Sequence, residues 1–182
     1  MFSNKPTELV CIIDPAVDKS KTDIKKYIDT RDLKHVVLKE GKEPARFFAR
    51  RLSTRVFNQV VEGATTDVLK FQLAFQFGVS EIRNLTIVDE SENASVLSRY
   101  MPDGEGNVNT GFPSHYTDEQ IDKISPAVVR EIGSLIYYAS FLGMTSGEHY
   151  DLPPSLHSIL ARQIVRDAAE TQDEQSSMTK DD

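Results

Sequence analysis

Eighteen residues, Ser125 to Leu142 (SPAVVREIGSLIYYASFL), constrain the fold of this chain more than any other stretch. Ser125 is placed to accept a hydrogen bond from the free backbone donors of a helix start, and Pro126 at the first helical position gives up only a donor that would have been unpaired anyway. Val128, Ile132, Leu135, Ala139 and Leu142 then recur at steps of three and four, with Val129 and Ile136 widening the stripe. This is the pattern of a packing helix. Gly133 lies within it, where a glycine costs about 1 kcal/mol relative to alanine, so its presence points to a second backbone passing close by.

Other segments carry similar local signals. Glu8 to Ile13 and His35 to Lys39 read as short strands, bounded by Asp14-Pro15 and Gly41. With Gly41 as the turn, His35 to Lys39 and Ala45 to Leu52 are expected to form a hairpin. Lys19 to Asp32 between the first two strands reads as a loop or short surface helix. Ser53 or Thr54 caps a helix to Val61 that Gly63 stops, and Thr65 or Thr66 with Asp67 opens a helix, TDVLKFQLAFQFGV, apolar enough to be largely buried. Glu90 to Pro113, rich in acids, glycine and proline, reads as a long loop with a short helix at Ser95 to Tyr100. Thr117 to Gln120 matches a capping box. Ser155 starts a final helix to Ala168, and TQDEQSSMTKDD from Thr171 has too little apolar surface to offset the entropy of ordering.

These segments predict an α+β fold: a small N-terminal antiparallel sheet or hairpin over residues 8–52, then a predominantly helical bundle over 53–170, in one domain, with an acidic disordered tail at 171–182. A chain of 182 residues has room for one such core. Mean hydropathy of −0.37 and the lack of a long apolar run predict no membrane span. The Leu9 to Ile13 run is too short for the core of a secretion signal, so a reducing compartment is expected, with the single cysteine, Cys11, buried and inert.

No stretch of the sequence carries a recognisable catalytic or ligand-binding pattern. His35, His115, His149 and His157 show no i,i+4 metal spacing. Asp103 to Asn109 places oxygen side chains on alternate residues, as a calcium loop does, without the closing bidentate glutamate. There is no phosphate-cradling glycine loop and no GxSxG, which leaves only a weak hydrolase reading built on His157 with Ser155 or Ser158 and Asp151. No catalytic, cofactor or metal residue is assigned. Partner binding is assigned to the basic cluster Arg46, Arg50, Arg51 and Arg55, interleaved with Phe47 and Phe48, and to the Tyr137–Tyr138 pair. The arginines suit three uses: a solvated strand face, a docking edge for an acidic partner, or a contact for nucleic acid. The last is disfavoured by a net charge of −7. The tyrosines serve either as packing or as a hydroxyl turned to a partner.

Three quoted stretches, taken in order, resemble small accessory proteins of tailed bacteriophages, of the tail-assembly-chaperone or virion type: VVLKEGKEPARFFARRLSTRVFNQV as an opening hairpin and helix, DVLKFQLAFQFGVSEIRNL as a second helix, and ISPAVVREIGSLIYYASFL as the hallmark helix. The start of the chain and Pro153 to Ala169 have no counterpart. The resemblance implies a non-catalytic protein of virion building or tail morphogenesis. It would bind other phage structural proteins of head or tail, self-associate, and act in the host cytoplasm during assembly or remain in the virion, with no cofactor and no membrane.

Overall fold

The computed structural model describes residues 6–88, 94–109 and 111–141. Among them, strands and helices interleave in the order β1 (Thr7–Val10), α1 (Ile24–Thr30), β2 (Arg46–Ala49), α2 (Thr54–Val56), α3 (Asp67–Gly78), β3 (Val79–Val88), β4 (Ala94–Tyr100), α4 (Asp118–Ile121) and α5 (Pro126–Phe141). The class is α+β, as expected. The expected separation into a β part and a following helical part is not found, because helices stand between the strands.

The four strands form one antiparallel sheet in the order β1-β2-β3-β4. The hairpin expected from His35 to Lys39 does not form. Gly41 does make a turn with φ at 69°, but both flanks of β2 are taken by β1 and β3. The segment instead folds back on residues 16–18: Asp18 N–H donates to Val37 O (2.8 Å), Lys39 N–H donates to Ala16 O (2.8 Å), and His35 ends a 3-10 turn from Leu33. Ser95 to Tyr100, expected as a helix within a loop, is strand β4, and SEIRNLTIV, whose first six residues the resemblance placed with the second helix, is most of β3, which opens at Val79 where that helix was expected to end. Each supplies the other's hydrogen bonds, a pairing invisible to helix-cap signals.

Local start and stop signals otherwise act as expected. Ser53 caps α2, which runs on as a π-helical turn, Phe57–Val61, just before Gly63. Thr66 caps α3 and Thr117 with Gln120 closes a capping box on α4. Lys19 to Asp32 contains α1, capped by Asp23 and ended by Arg31 in the left-handed region. The expected final helix and acidic tail lie outside the described residues.

The core lies between one face of the sheet and the helices. Leu9, Phe47 and Ile82 stand opposite one another across three strands, each at most 1% exposed, and Phe47 meets Phe75 of α3 edge-on at 6.0 Å. Helix α5 packs on α3 at the close approach that Gly133 suggested. A Cβ at Gly133 would fall 2.0 Å from the Phe71 carbonyl oxygen, and one at Gly78 would fall 2.6 Å from the Ile136 side chain. Helix α3 is less buried than its composition suggested, since Val68 and Leu69 at its first turn are exposed.

Two buried polar devices tie α1 and α5 to β1 and the loop after it. The Tyr27 hydroxyl donates to Val10 O and accepts from Val10 N–H, both at 2.8 Å. Glu131, 4% exposed on α5, accepts from Ile12 N–H (2.5 Å), the Cys11 thiol (3.0 Å) and Ile13 N–H (3.4 Å). Buried backbone groups need such partners because leaving one unpaired costs about 1–3 kcal/mol.

Candidate protein-binding surface

The sheet face away from the helices carries a layer of charge. By register, Glu8, Phe48 and Glu81 lie opposite one another in one row across β1, β2 and β3, while Arg46, Arg83 and Arg99 form the next row across β2, β3 and β4. Like charges directly opposite on neighbouring strands are destabilising. Here Arg46 is offset by Glu8 in the adjacent row, and Arg83 and Arg99 share Glu81. Arg46 bonds Glu8. Glu81 receives Arg83 Nε at 2.6 Å and a two-pronged contact from Arg99 at 3.1 and 3.4 Å. The hydrogen bond from Arg83, joined by the field of Arg99, holds the Glu81 carboxyl below the ordinary carboxylate range. The Arg83 guanidinium also lies 4.6 Å from the centre of the Phe48 ring, a cation–π geometry.

A bulge shapes this layer. The register slips between Phe48 and Ala49, leaving Ser80 of β3 unmatched, and the Ser80 hydroxyl donates to Phe48 O at 2.9 Å. The side chain of Glu81 is 14% exposed beneath Arg83 and Arg99, which are 52% and 62% exposed. Anything approaching the sheet therefore meets guanidinium first. Exposed ion pairs contribute about 0–1 kcal/mol each to stability, so the layer matters more for what it presents than for what it holds together.

The sequence cluster Arg46, Arg50, Arg51 and Arg55 is only partly a structural unit. Arg46 joins the sheet layer. Arg50 and Arg51 lie past the end of β2, both exposed, with the Arg50 backbone N–H bonded to Gly78 O at 2.7 Å. Arg55 is exposed on α2 and donates to Gln59 at 3.4 Å. The expectation that these arginines guard an open edge is corrected, since β2 is an inner strand. Arg83 and Arg99, which complete the row, lie on strands without strict alternation, since the buried Ile82 and Leu85 are three residues apart around Asn84 in the left-handed region, so the sequence carries only the branched residues of EIRNLTIV as a signal.

Tyr137 and Tyr138 sit on the α5 face toward α2 and α3. Tyr137 stacks on Phe57 at 5.4 Å, meets Phe71 edge-on at 5.7 Å, and donates its hydroxyl to Glu62 at 2.7 Å. Burial, then the hydrogen bond and charge of Glu62, push its phenol above the ordinary value. Tyr138 packs on Phe71 at 5.9 Å. Both are half-buried packing residues in this arrangement.

The remaining chemistry-bearing groups are engaged in the fold. Burial, then the nearby Glu131 carboxylate, pushes the Cys11 thiol well above its ordinary value, away from nucleophilic thiolate. His115 stacks on Phe77 at 4.8 Å, and its backbone pairs with Gly104 in the turn-rich segment that the calcium pattern singled out. Among the described residues, no group of three or more His, Cys, Asp or Glu could hold a metal ion. His149, Asp151, Ser155, His157 and Ser158 lie outside the described residues. An open groove of about 180 Å³ lies between the first turn of α3 and the α4–α5 junction, lined by Val68, Ile121, Ile124, Pro126 and Val129 with polar neighbours. It is smaller than the roughly 300–1,000 Å³ of small-molecule sites. No helix among the described residues is long and apolar enough to cross a membrane.

Comparison with known proteins adds no relative: no protein-family model, no curated protein and no solved structure matches the chain.

Proposed function

We propose that this chain is a non-catalytic polypeptide-binding protein, an assembly or virion component of a tailed bacteriophage, that engages other phage proteins through the outer face of its sheet. The observation that carries the binding role is the uncovered layer in which Arg46, Arg83 and Arg99 are aligned across three strands around Phe48. Arginine beside an aromatic ring on a rigid sheet is the composition that concentrates binding energy at protein interfaces. The phage assignment comes from the resemblance of the α3 and α5 segments; the opening hairpin, once part of that resemblance, no longer supports it.

Acidic polypeptide suits the surface better than nucleic acid. Glu8 and Glu81 lie in the same layer as the arginines, so a continuous run of phosphates would meet carboxylates in alternation with guanidiniums. A protein partner can place its acids selectively. Mass spectrometry of purified particles against the lysate that produced them tests the assignment: presence in particles marks a structural subunit, presence in lysate alone marks an assembly factor, and absence of any complex with particle proteins in either removes the proposal. Arg83→Glu with Arg99→Glu should abolish such a complex. Loss through Arg50→Glu and Arg51→Glu alone would move the binding site away from the sheet.

A further inference from the structure

The two edges of the sheet are treated differently. At β1 the outward N–H and C=O of Val10 are both taken by the Tyr27 hydroxyl, and the strand is four residues long. At β4 the seven residues Ala94–Tyr100 pair only with β3, and no backbone hydrogen bond from residues 94–99 to any element other than β3 is found among the described residues. The strand sequence, ASVLSRY, has no proline, no glycine and one charge, and its Val96 is 67% exposed. Proteins ordinarily blunt such an edge with lysine, proline, a bulge or a covering helix. Among the described residues none of these blunts β4.

Resting on the reading of the outer face as polypeptide-binding, we infer that β4 accepts an extended acidic segment of a partner protein as a fifth, added strand. Alternate residues of β4 point their N–H and C=O groups away from β3, and these form the template for main-chain bonds, as in other strand-addition complexes. Charge selects the occupant. The row Arg46–Arg83–Arg99 ends at the open edge, and Glu81 is shared by two guanidiniums. Three guanidiniums against the two carboxylates Glu8 and Glu81 leave one positive charge uncompensated, and it falls at the Arg99 end, because Arg46 has Glu8 to itself. A residue of an added strand directly opposite Arg99 continues that row, within cross-strand reach of its guanidinium. A carboxylate there completes the alternation. A second copy of this chain cannot supply it, since β4 contains no acid and brings a second Arg99 instead.

The test uses the full chain and a nine-residue peptide in which valine and glutamate alternate, read by fluorescence anisotropy and by amide hydrogen exchange. The expected result is saturable binding with slowed exchange at alternate residues of 94–100. Replacing glutamate by glutamine in the peptide should weaken binding roughly threefold to fivefold per opposed pair. Arg99→Glu should reverse the preference between the two peptides. N-methylation of the peptide backbone on its β4-facing positions should abolish binding, a readout independent of how any variant folds. Binding indifferent to N-methylation would overturn strand addition while leaving the outer face as a binding surface, whereas no binding of either peptide at millimolar concentration would overturn this inference alone. Slow exchange of the outward-facing β4 amides in the chain without peptide would overturn it in favour of another occupant: a second copy if protection grows with protein concentration, a segment of the chain itself if it does not.

Discussion

Replacing Tyr27 by phenylalanine removes one oxygen and nothing else, and the structure says what that oxygen holds. Tyr27 is fully buried, and its hydroxyl serves both polar groups of Val10, itself 3% exposed, through two bonds of 2.8 Å. The ring remains, so no sizeable cavity opens. What is lost is the satisfaction of a buried N–H and a buried C=O, at about 1–3 kcal/mol for each group left unpaired. Some relief comes from water at the strand edge, which places the expected loss at about 2–4 kcal/mol. Urea unfolding should show the midpoint falling by that energy divided by the slope, with the slope unchanged because the surface exposed on unfolding is the same. The Val10 amide should exchange much faster in the variant under native conditions, and amides in α5 should not. A loss below about 0.5 kcal/mol would refute the reasoning, because it would mean that the edge of β1 is solvated in the native protein and the hydroxyl is incidental.

Two further results are expected. Gly133→Ala should destabilise the protein by about 1–3 kcal/mol despite alanine's better helix propensity, since its methyl group would sit 2.0 Å from the Phe71 carbonyl oxygen and force α5 off α3; thermal melts that rise or stay level would contradict that close approach. Burial raises the Tyr27 and Tyr116 phenols, and burial beside Glu131 raises the Cys11 thiol, so above about pH 9–10 the unfolded chain releases protons that the native state keeps. Stability contributed by these groups is complete below their unfolded values and is lost as pH climbs, at about 1.4 kcal/mol per pH unit for each group. Unfolding free energies from pH 8 to 10.5 should fall, and more shallowly in Tyr27→Phe by one proton's worth; a flat profile would mean these groups are not buried as described.

What the sequence disclosed divides by range. Ser53, Thr66 and the Thr117–Gln120 box announced their helices because capping is settled within four residues, whatever the rest of the chain does. Gly133 disclosed a tertiary contact because a glycine in an apolar helix stripe has few other reasons to be there. The strands were harder. Val36 to Lys39 has strong strand composition, yet its backbone hydrogen bonds go to residues 16–18, to Leu33 and to the Thr22 hydroxyl, while the flanks of β2 go to strands thirty or more residues away in either direction. Nothing local distinguishes these outcomes, because sheet stability comes from cross-strand neighbours that the sequence does not name. The arginine row shows the consequence: Arg46 was visible as part of a linear cluster, but its structural companions are Arg83 and Arg99, brought alongside by register alone.

Glu131 shows how the same blindness affects the core. It stands three residues after Val128 and four before Leu135, on the stripe that defines α5 as a packing helix, so periodicity marks its position as interior while its chemistry argues for the surface. The conflict is resolved by the chain 118 to 120 residues earlier, where Cys11, Ile12 and Ile13 turn their donors toward the carboxylate. A buried ionisable group is tolerated when its bonds are supplied and costly when they are not. The acid therefore specifies one docking of α5, since a shift of the helix by a single turn would leave both the carboxylate and the two amides without partners. Apolar stripes alone tolerate such slippage, being non-directional. In this fold Glu131 fixes α5 against the loop after β1, and Gly133, two residues on, fixes it against α3.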